Sequence, residues 1–152
     1  MRIAVAVAVA LLLSGCGVWT STPSVGDCAE VKDMSRNRYE LSKVDCSKPE
    51  AMYRLVDTVS GRSPSCPRGD YVEDTSIRNK KTERKTRQCF VLNVKQGDCL
   101  NAVDSNTYQR TACGGSARKV SKVVDGKNDP AVCGSDEPQT YSRPTLTICI
   151  TR

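Results

Sequence analysis

The residues of this sequence best suited to chemistry are its nine cysteines. Eight of them fall into two sets of four, one set after each copy of the tripeptide Gly-Asp-Cys, at residues 26–28 and 97–99. Thiols in such numbers either form disulfides or hold a metal or a redox pair. No Cys-x-x-Cys occurs, which disfavours a zinc knuckle and a thioredoxin-like pair. We therefore expect structural disulfides, with no metal and no cofactor.

The cysteine spacing favours one pairing scheme. Four cysteines allow three pairings within each set. We favour first-to-second and third-to-fourth, because the first and second cysteines bracket a predicted hairpin. The predicted disulfides are Cys28–Cys46, Cys66–Cys89, Cys99–Cys113 and Cys133–Cys149.

The ninth cysteine, Cys16, stands at the end of an export signal. Residues 3–13 are an apolar run of eleven residues, and a membrane-spanning helix needs about 20. The run ends in Leu13-Ser14-Gly15-Cys16, which resembles the bacterial lipobox. This resemblance implies a signal peptide at residues 1–15, cleavage before Cys16 and acylation of its thiol. With residues 16–24 as a tether, we expect a lipid-anchored protein on the extracytoplasmic face of the cell membrane.

Positive charge is concentrated in residues 78–87, where Glu83 is the only acid. Polybasic segments bind anionic surfaces, so the sharper interpretation is contact with anionic lipid or an anionic wall polymer. The alternative is a solvated loop. Nucleic acid is not an expected partner, because the protein is exported and the cluster has no interleaved aromatic residues. The basic residues are Arg78, Lys80, Lys81, Arg84, Lys85 and Arg87.

Catalytic groups are scarce. The chain has no His, which excludes Ser-His-Asp and Cys-His catalysis and every His-containing zinc site. Neighbouring acids such as Glu73 and Asp74 point to opposite faces of a strand, so they do not form a working pair. We predict no catalytic residues and no enzymatic activity; a carboxylate-based or Ser-Lys enzyme remains an alternative.

Hydrophobic alternation and turn residues predict a mainly β fold with short helices; the alternative is α+β. Because Pro67 suits a helix start and acidic residues follow, we expect a short helix over residues 67–77 and another after the third cysteine of the second set. The run at residues 88–94 is the most β-prone and predicts an internal strand. The other predicted strands are 28–32, 38–44, 52–59, 99–103, 108–112, 118–125 and 145–150.

The two cysteine sets indicate a tandem repeat. The second and third cysteines are 20 residues apart in both sets. Residues 51–57 align with residues 118–124, and Tyr71 and Tyr141 each follow a third cysteine. We expect repeats at residues 25–92 and 96–152, packed as one two-lobed body because the junction is too short for a flexible linker. The tripeptide Arg68-Gly69-Asp70 matches an adhesion motif, which we interpret as coincidence.

The lipobox and several short sequence motifs together resemble one family. These motifs are Val25-Gly26-Asp27-Cys28, Val44-Asp45-Cys46, Cys66-Pro67, Gly97-Asp98-Cys99 and Thr147-Ile148-Cys149-Ile150. They are similar to the LppU-like lipoproteins of mycobacteria and related actinobacteria. The first half also resembles the extracytoplasmic domains labelled septum-formation. The resemblance implies an exported, lipid-anchored protein and supplies no catalytic residue.

These features predict a non-enzymatic binding or interaction role in the cell envelope, with an unknown protein partner or an anionic surface. The first alternative is a small-ligand carrier with a pocket between the repeats.

Overall fold

A computed structural model of the chain describes residues 22–33, 40–79, 84–103 and 107–152. At residues 33 and 76–79 it describes the backbone only. The predicted signal peptide, Cys16 and most of the tether lie outside the described residues, as do Lys80 and Lys81.

The protein is built from two five-stranded antiparallel sheets, one in each half of the chain. The first sheet has the order β2-β1-β3-β5-β4 and the second the order β7-β6-β8-β10-β9, so the topology is repeated. This confirms the mainly β fold with two tandem repeats. The first-sheet strands are β1 (Cys28–Asp33), β2 (Glu40–Val44), β3 (Tyr53–Gly61), β4 (Val72–Asn79) and β5 (Arg84–Leu92). The second-sheet strands are β6 (Cys99–Ala102), β7 (Tyr108–Arg110), β8 (Arg118–Asp125), β9 (Glu137–Ser142) and β10 (Thr145–Ile150).

The predicted helix over residues 67–77 is wrong. The segment enters strand β4 at Val72, and this strand pairs antiparallel with β5 from Val72 opposite Phe90 onward. The second half behaves in the same way. Only the short 3-10 helix Pro130–Cys133 forms there, and strand β9 follows the third cysteine. Both extra strands pair with the strand that holds the fourth cysteine, and the acidic residues that suggested a helix start belong to the sheet edge.

All four predicted disulfides are present, and each lies within one repeat. Their Cα–Cα distances lie between 5.0 and 5.7 Å, in the normal range. Loops of 14 to 23 residues are closed by these bonds. Each bond is expected to stabilise the fold by about 3 kcal/mol, by restricting the unfolded chain.

The Gly-Asp-Cys tripeptides form the same turn in both repeats. Gly26 and Gly97 have φ values of +97° and +95°, which glycine adopts at little cost. The carboxylates of Asp27 and Asp98 each accept a hydrogen bond from the backbone amide three residues earlier, at 2.8 and 3.0 Å. The tripeptide is therefore a turn that starts each sheet, as its residue types predict.

The strand register corrects the predicted alignment of the repeats by two residues. The alignment of residues 51–57 with 118–124 placed Leu55 opposite Lys122. In the structure the amide of Gly26 donates to the carbonyl of Leu55, and Gly97 donates to Val120, both at 2.8 Å. Leu55 and Val120 are therefore equivalent. A shift of two residues keeps every side chain on the same face of a strand, so the hydrophobic pattern alone does not detect it.

Tyr71 and Tyr141 are not equivalent residues, contrary to the predicted alignment. Val72 and Glu137 begin β4 and β9 and pair with corresponding residues of the neighbouring strands, so the counterpart of Tyr71 is Asp136. The two tyrosines instead contact each other across the repeat interface. Their rings are edge to face, with centroids 5.3 Å apart. Such pairs contribute about 0.5–1.5 kcal/mol beyond the area they bury.

One hydrophobic core is shared by the two repeats. It joins β-strand residues from both sheets, and three of its largest fully buried side chains are tyrosines. The two repeats therefore form one folded unit with a shared core. Core residues contributed by the first repeat include Tyr53, Leu55 and Phe90, and those from the second include Leu100, Tyr108, Val120, Tyr141 and Ile148.

The segment Arg68-Gly69-Asp70 covers the free edge of β9. The amide of Asp70 donates to the carbonyl of Thr140 at 2.8 Å, and the amide of Ser142 donates to the carbonyl of Arg68 at 3.1 Å. The Asp70 carboxylate also accepts from the Thr140 amide, at 2.6 Å. The tripeptide therefore has a structural role, since it protects an edge strand and joins the repeats.

Candidate functional site

The two repeats meet at a cleft that contains two open grooves. The first, called the apolar groove, has a volume of about 530 Å³ and lies between Val31 and Met52 of the first repeat and residues 108–112 of the second. The second, called the basic groove, has a volume of about 610 Å³ and lies between residues 46–49 and residues 93–95. Both are large enough for a small molecule or for a segment of a polymer.

Arg110 stands between the grooves and contributes to the lining of both. Its guanidinium donates to the carbonyl of Pro49 in the first repeat and to the carbonyl of Asn93 at the junction. It also forms an ion pair of 3.1 Å with Asp98, in the turn that starts the second sheet. One side chain thus links three segments of the chain that border the cleft.

The basic groove carries an excess of positive charge. Four cations line it, namely Lys48, Arg54, Lys95 and Arg110, with Asp98 as its only carboxylate. Asp98 is occupied by Arg110, and the other three cations form no ion pair with any residue that the structure describes. Lys48 contributes only a minor part to the lowered pKa of Asp45, which is held mainly by hydrogen bonds from Ser47.

The apolar groove is bordered by strand β7, one of the two edge strands of the second sheet. The outward amide and carbonyl of Tyr108 are both bonded to the hydroxyl of Tyr53, at 2.8 and 3.0 Å. Val31 and Met52 provide apolar wall, whereas Glu30 and Glu50 add negative charge. The groove therefore offers an apolar surface with a charged margin.

Three carboxyls of the described residues, those of Asp27, Asp45 and Glu137, have pKa values that depart clearly from the ordinary range, and all three are lowered. Glu137 accepts hydrogen bonds from the Tyr108 hydroxyl and from Arg118, and these contacts lower its pKa. The pKa values of Asp27 and Asp45 are lowered too, chiefly by Lys43 and by Ser47. A general acid at neutral pH requires a shift in the opposite direction. Within residues 22–33, 40–79, 84–103 and 107–152, no cluster of metal-ligating side chains occurs.

The described residues of the predicted basic cluster lie in two paired strands, whereas the sequence predicted a loop over them; Lys80 and Lys81 lie outside the described residues. Arg84, Lys85 and Arg87 lie in β5, and Arg78 lies in β4. Arg87 is ion-paired with Glu73, while Arg84 and Lys85 are exposed. Arg84, Lys85 and Arg87 line neither groove.

Sequence reasoning missed the cations of the basic groove. They are separated by long stretches of chain and come from a turn after Cys46, strand β3, the junction between the repeats and strand β7. No local charge density marks them, in contrast to residues 78–87. The prediction of a pocket between the repeats was the only signal that pointed to this region.

Comparison with family models, with curated proteins and with solved structures gave no match. The resemblance to LppU-like lipoproteins therefore stays a prediction. The part of the chain that the structure describes contains no helix of the length and hydropathy that a membrane span requires.

Proposed function

We propose that the chain is a non-enzymatic binding protein of the cell envelope, which holds its ligand in the cleft between its repeats. Acyl chains on Cys16 anchor it to the extracytoplasmic face of the membrane, and residues 16–24 form the tether. The lipobox and the eight remaining cysteines support this location, because disulfides persist outside the cytoplasm.

The observation that carries the proposal is the position of the two grooves. Both lie where the repeats meet, and both are lined by Pro49 and Arg110. The disulfides Cys28–Cys46 and Cys99–Cys113 restrain the chain on either side. A site with fixed walls binds without the entropic cost of ordering them.

A small-ligand carrier is the second candidate, and the apolar groove favours it. Val31, Pro49 and Met52 offer an apolar lining for a compact ligand. The openness of the cleft favours a longer ligand that extends beyond one groove.

Filling the cleft with a bulky side chain tests the proposal. Residues 17–152 contain the whole described fold and are secreted through an unrelated signal so that the disulfides form. The immobilised chain is incubated with membrane and wall fragments, and the retained mass is measured. Ala112→Trp narrows the apolar groove and is expected to reduce retention at least fivefold.

Ala131→Trp is the matched control, because Ala131 is also exposed and lines neither groove. This variant is expected to retain as much material as the unchanged chain. Equal retention by all three forms would contradict a ligand in the cleft.

A further inference from the structure

We infer that the basic groove is an anion site for phosphate groups, and specifically for the phosphate of a phosphodiester-bearing lipid or wall polymer. The inference rests on the proposed binding function and names the chemistry of its ligand. It is carried by uncompensated charge, by a pre-positioned arginine and by the dimensions of the groove.

Three of the four cations that line the groove lack an ion-pair partner among the described residues. Lys48, Arg54 and Lys95 share one groove, and among the described residues none of them has a carboxylate partner within ion-pair distance. Like charges in one concave site repel each other and raise the local potential. A phosphate directs its oxygens tetrahedrally and can contact cations on several sides, whereas both oxygens of a carboxylate lie in one plane on one side of the group.

Arg54 is held in place by neutral partners. Its guanidinium donates to the side-chain oxygen of Asn93 at 2.8 Å. Asn93 is itself fixed, because its side-chain amide donates to the carbonyl of Ala51 and its backbone amide donates to the carbonyl of Met52, both at 2.8 Å. An amide oxygen orients a guanidinium without cancelling its charge, so the remaining N–H groups stay available for a phosphate.

The two lysines that line the groove come from separate segments of the chain. Lys48 belongs to the turn after Cys46, which a disulfide ties to β1. Lys95 belongs to the turn before Asp98, and its amide donates to the Asp98 carboxylate at 3.0 Å. The backbone of both segments is thus restrained, while the side chains of the two lysines are exposed and can reach a ligand in the groove.

The size of the groove indicates that the phosphate is part of a larger molecule. At about 610 Å³ and open to solvent, the groove has far more room than one phosphate fills. The phosphate would lie against Arg54 and the lysines, and the rest of the ligand would continue along the cleft past Arg110. A phosphodiester fits this arrangement because substituents leave it in two directions.

Titration of residues 17–152 with inorganic phosphate, with glycerophosphoglycerol and with vesicles of phosphatidylglycerol in phosphatidylcholine tests the inference. The double variant Arg54→Gln, Lys95→Gln is expected to weaken phosphate and diester binding at least tenfold, because it removes two charge-assisted contacts to the phosphate. Acetate is expected to bind at least tenfold more weakly than phosphate. Near-ultraviolet circular dichroism checks that the variant is folded.

The matched control is Lys119→Gln, Lys127→Gln, which removes two exposed positive charges from the second repeat outside the groove. It is expected to change phosphate affinity less than twofold. Equal losses in the two double variants, or no loss in either, would overturn the inference, because binding would then be diffuse attraction.

The probes also distinguish the source of the phosphate. Groove-dependent binding of the diester in solution favours a polymer, and groove-dependent binding of vesicles alone favours a lipid headgroup. Both results support a phosphate site. If Ala112→Trp loses envelope binding while the Arg54→Gln, Lys95→Gln variant keeps full phosphate affinity, this inference fails and the proposed function stands.

Discussion

The hydroxyl of Tyr53 donates a hydrogen bond to the carbonyl oxygen of Tyr108 and accepts one from its amide, at 3.0 and 2.8 Å. A side chain of the first repeat thereby bonds to the outward backbone groups of edge strand β7 in the second repeat, as a neighbouring strand would. Both tyrosines are fully buried. The geometry of the cleft depends on this contact, because the two residues lie where the sheets approach each other.

Replacing Tyr53 with phenylalanine is expected to destabilise the whole chain. The amide and carbonyl of Tyr108 would stay buried without their partner, which costs about 1–3 kcal/mol. Because one core joins the repeats, we expect a single cooperative urea transition at a lower midpoint. A loss below about 0.5 kcal/mol, or two separate transitions, would show that the contact does not couple the repeats.

Alkaline pH is expected to unfold the protein through its buried tyrosines. Burial raises the pKa of Tyr53 to about 12, and it raises the pKa values of Tyr108 and Tyr141 as well. The unfolded chain loses these protons near pH 10, whereas the folded chain keeps them, so stability falls as pH rises above 10. The fall is up to about 1.4 kcal/mol per pH unit for each such group.

Urea unfolding between pH 9 and 11.5 measures this effect, with tyrosinate absorbance as a second signal. The Tyr53→Phe variant should show a shallower decline than the unchanged chain, because it has one fewer buried phenol. Full tyrosinate absorbance near pH 10 in the folded protein would be evidence against the burial of these groups.

Gly69→Ala is expected to disrupt the segment at residues 68–70 that covers the edge of β9. A Cβ at Gly69 would stand 2.5 Å from the carbonyl oxygen of Thr140, and the φ of +148° disfavours any other residue. We expect a loss of more than about 2 kcal/mol, measured as a lower unfolding midpoint. Gly61→Ala is the control, because nothing lies within 4 Å of its added Cβ and its φ is ordinary. Equal stabilities of the two variants would refute the close approach.

Much of this architecture could be predicted from the sequence, for identifiable reasons. Cysteine spacing favoured the observed disulfide pairing, and strands such as β8 and β10 were predicted at their observed bounds because they are rich in the β-branched residues Val, Ile and Thr. The segment from Pro67 to Val72 misled the prediction because proline and acids also begin helices, and its strand is specified by pairing with β5.

The candidate site could not be predicted in the same way. Its cations come from four segments that are far apart in the sequence. The strand register that brings them together cannot be read from hydrophobic alternation, because a shift of two residues leaves that alternation unchanged. The densest charge cluster, at residues 78–87, was conspicuous in the sequence, yet its described members lie in a hairpin outside the cleft.

Mass spectrometry of the membrane fraction is expected to find Cys16 at the new amino terminus with acyl chains attached. Cys16→Ser should release the protein from membranes, because acyl chains bind the bilayer by about 0.8 kcal/mol per buried methylene. Cys16 with a free thiol, or a variant that stays membrane-bound, would contradict the lipid anchor.

The central claim, that a ligand lies between the repeats, is tested most directly by nuclear magnetic resonance of residues 17–152 during titration with glycerophosphoglycerol. We predict that the largest saturating changes in amide chemical shift occur at residues 47–48 and 93–95, with little change at Arg84 and Lys85. The account would be contradicted if the shifts were largest in the hairpin, or if they were small and uniform over the whole surface.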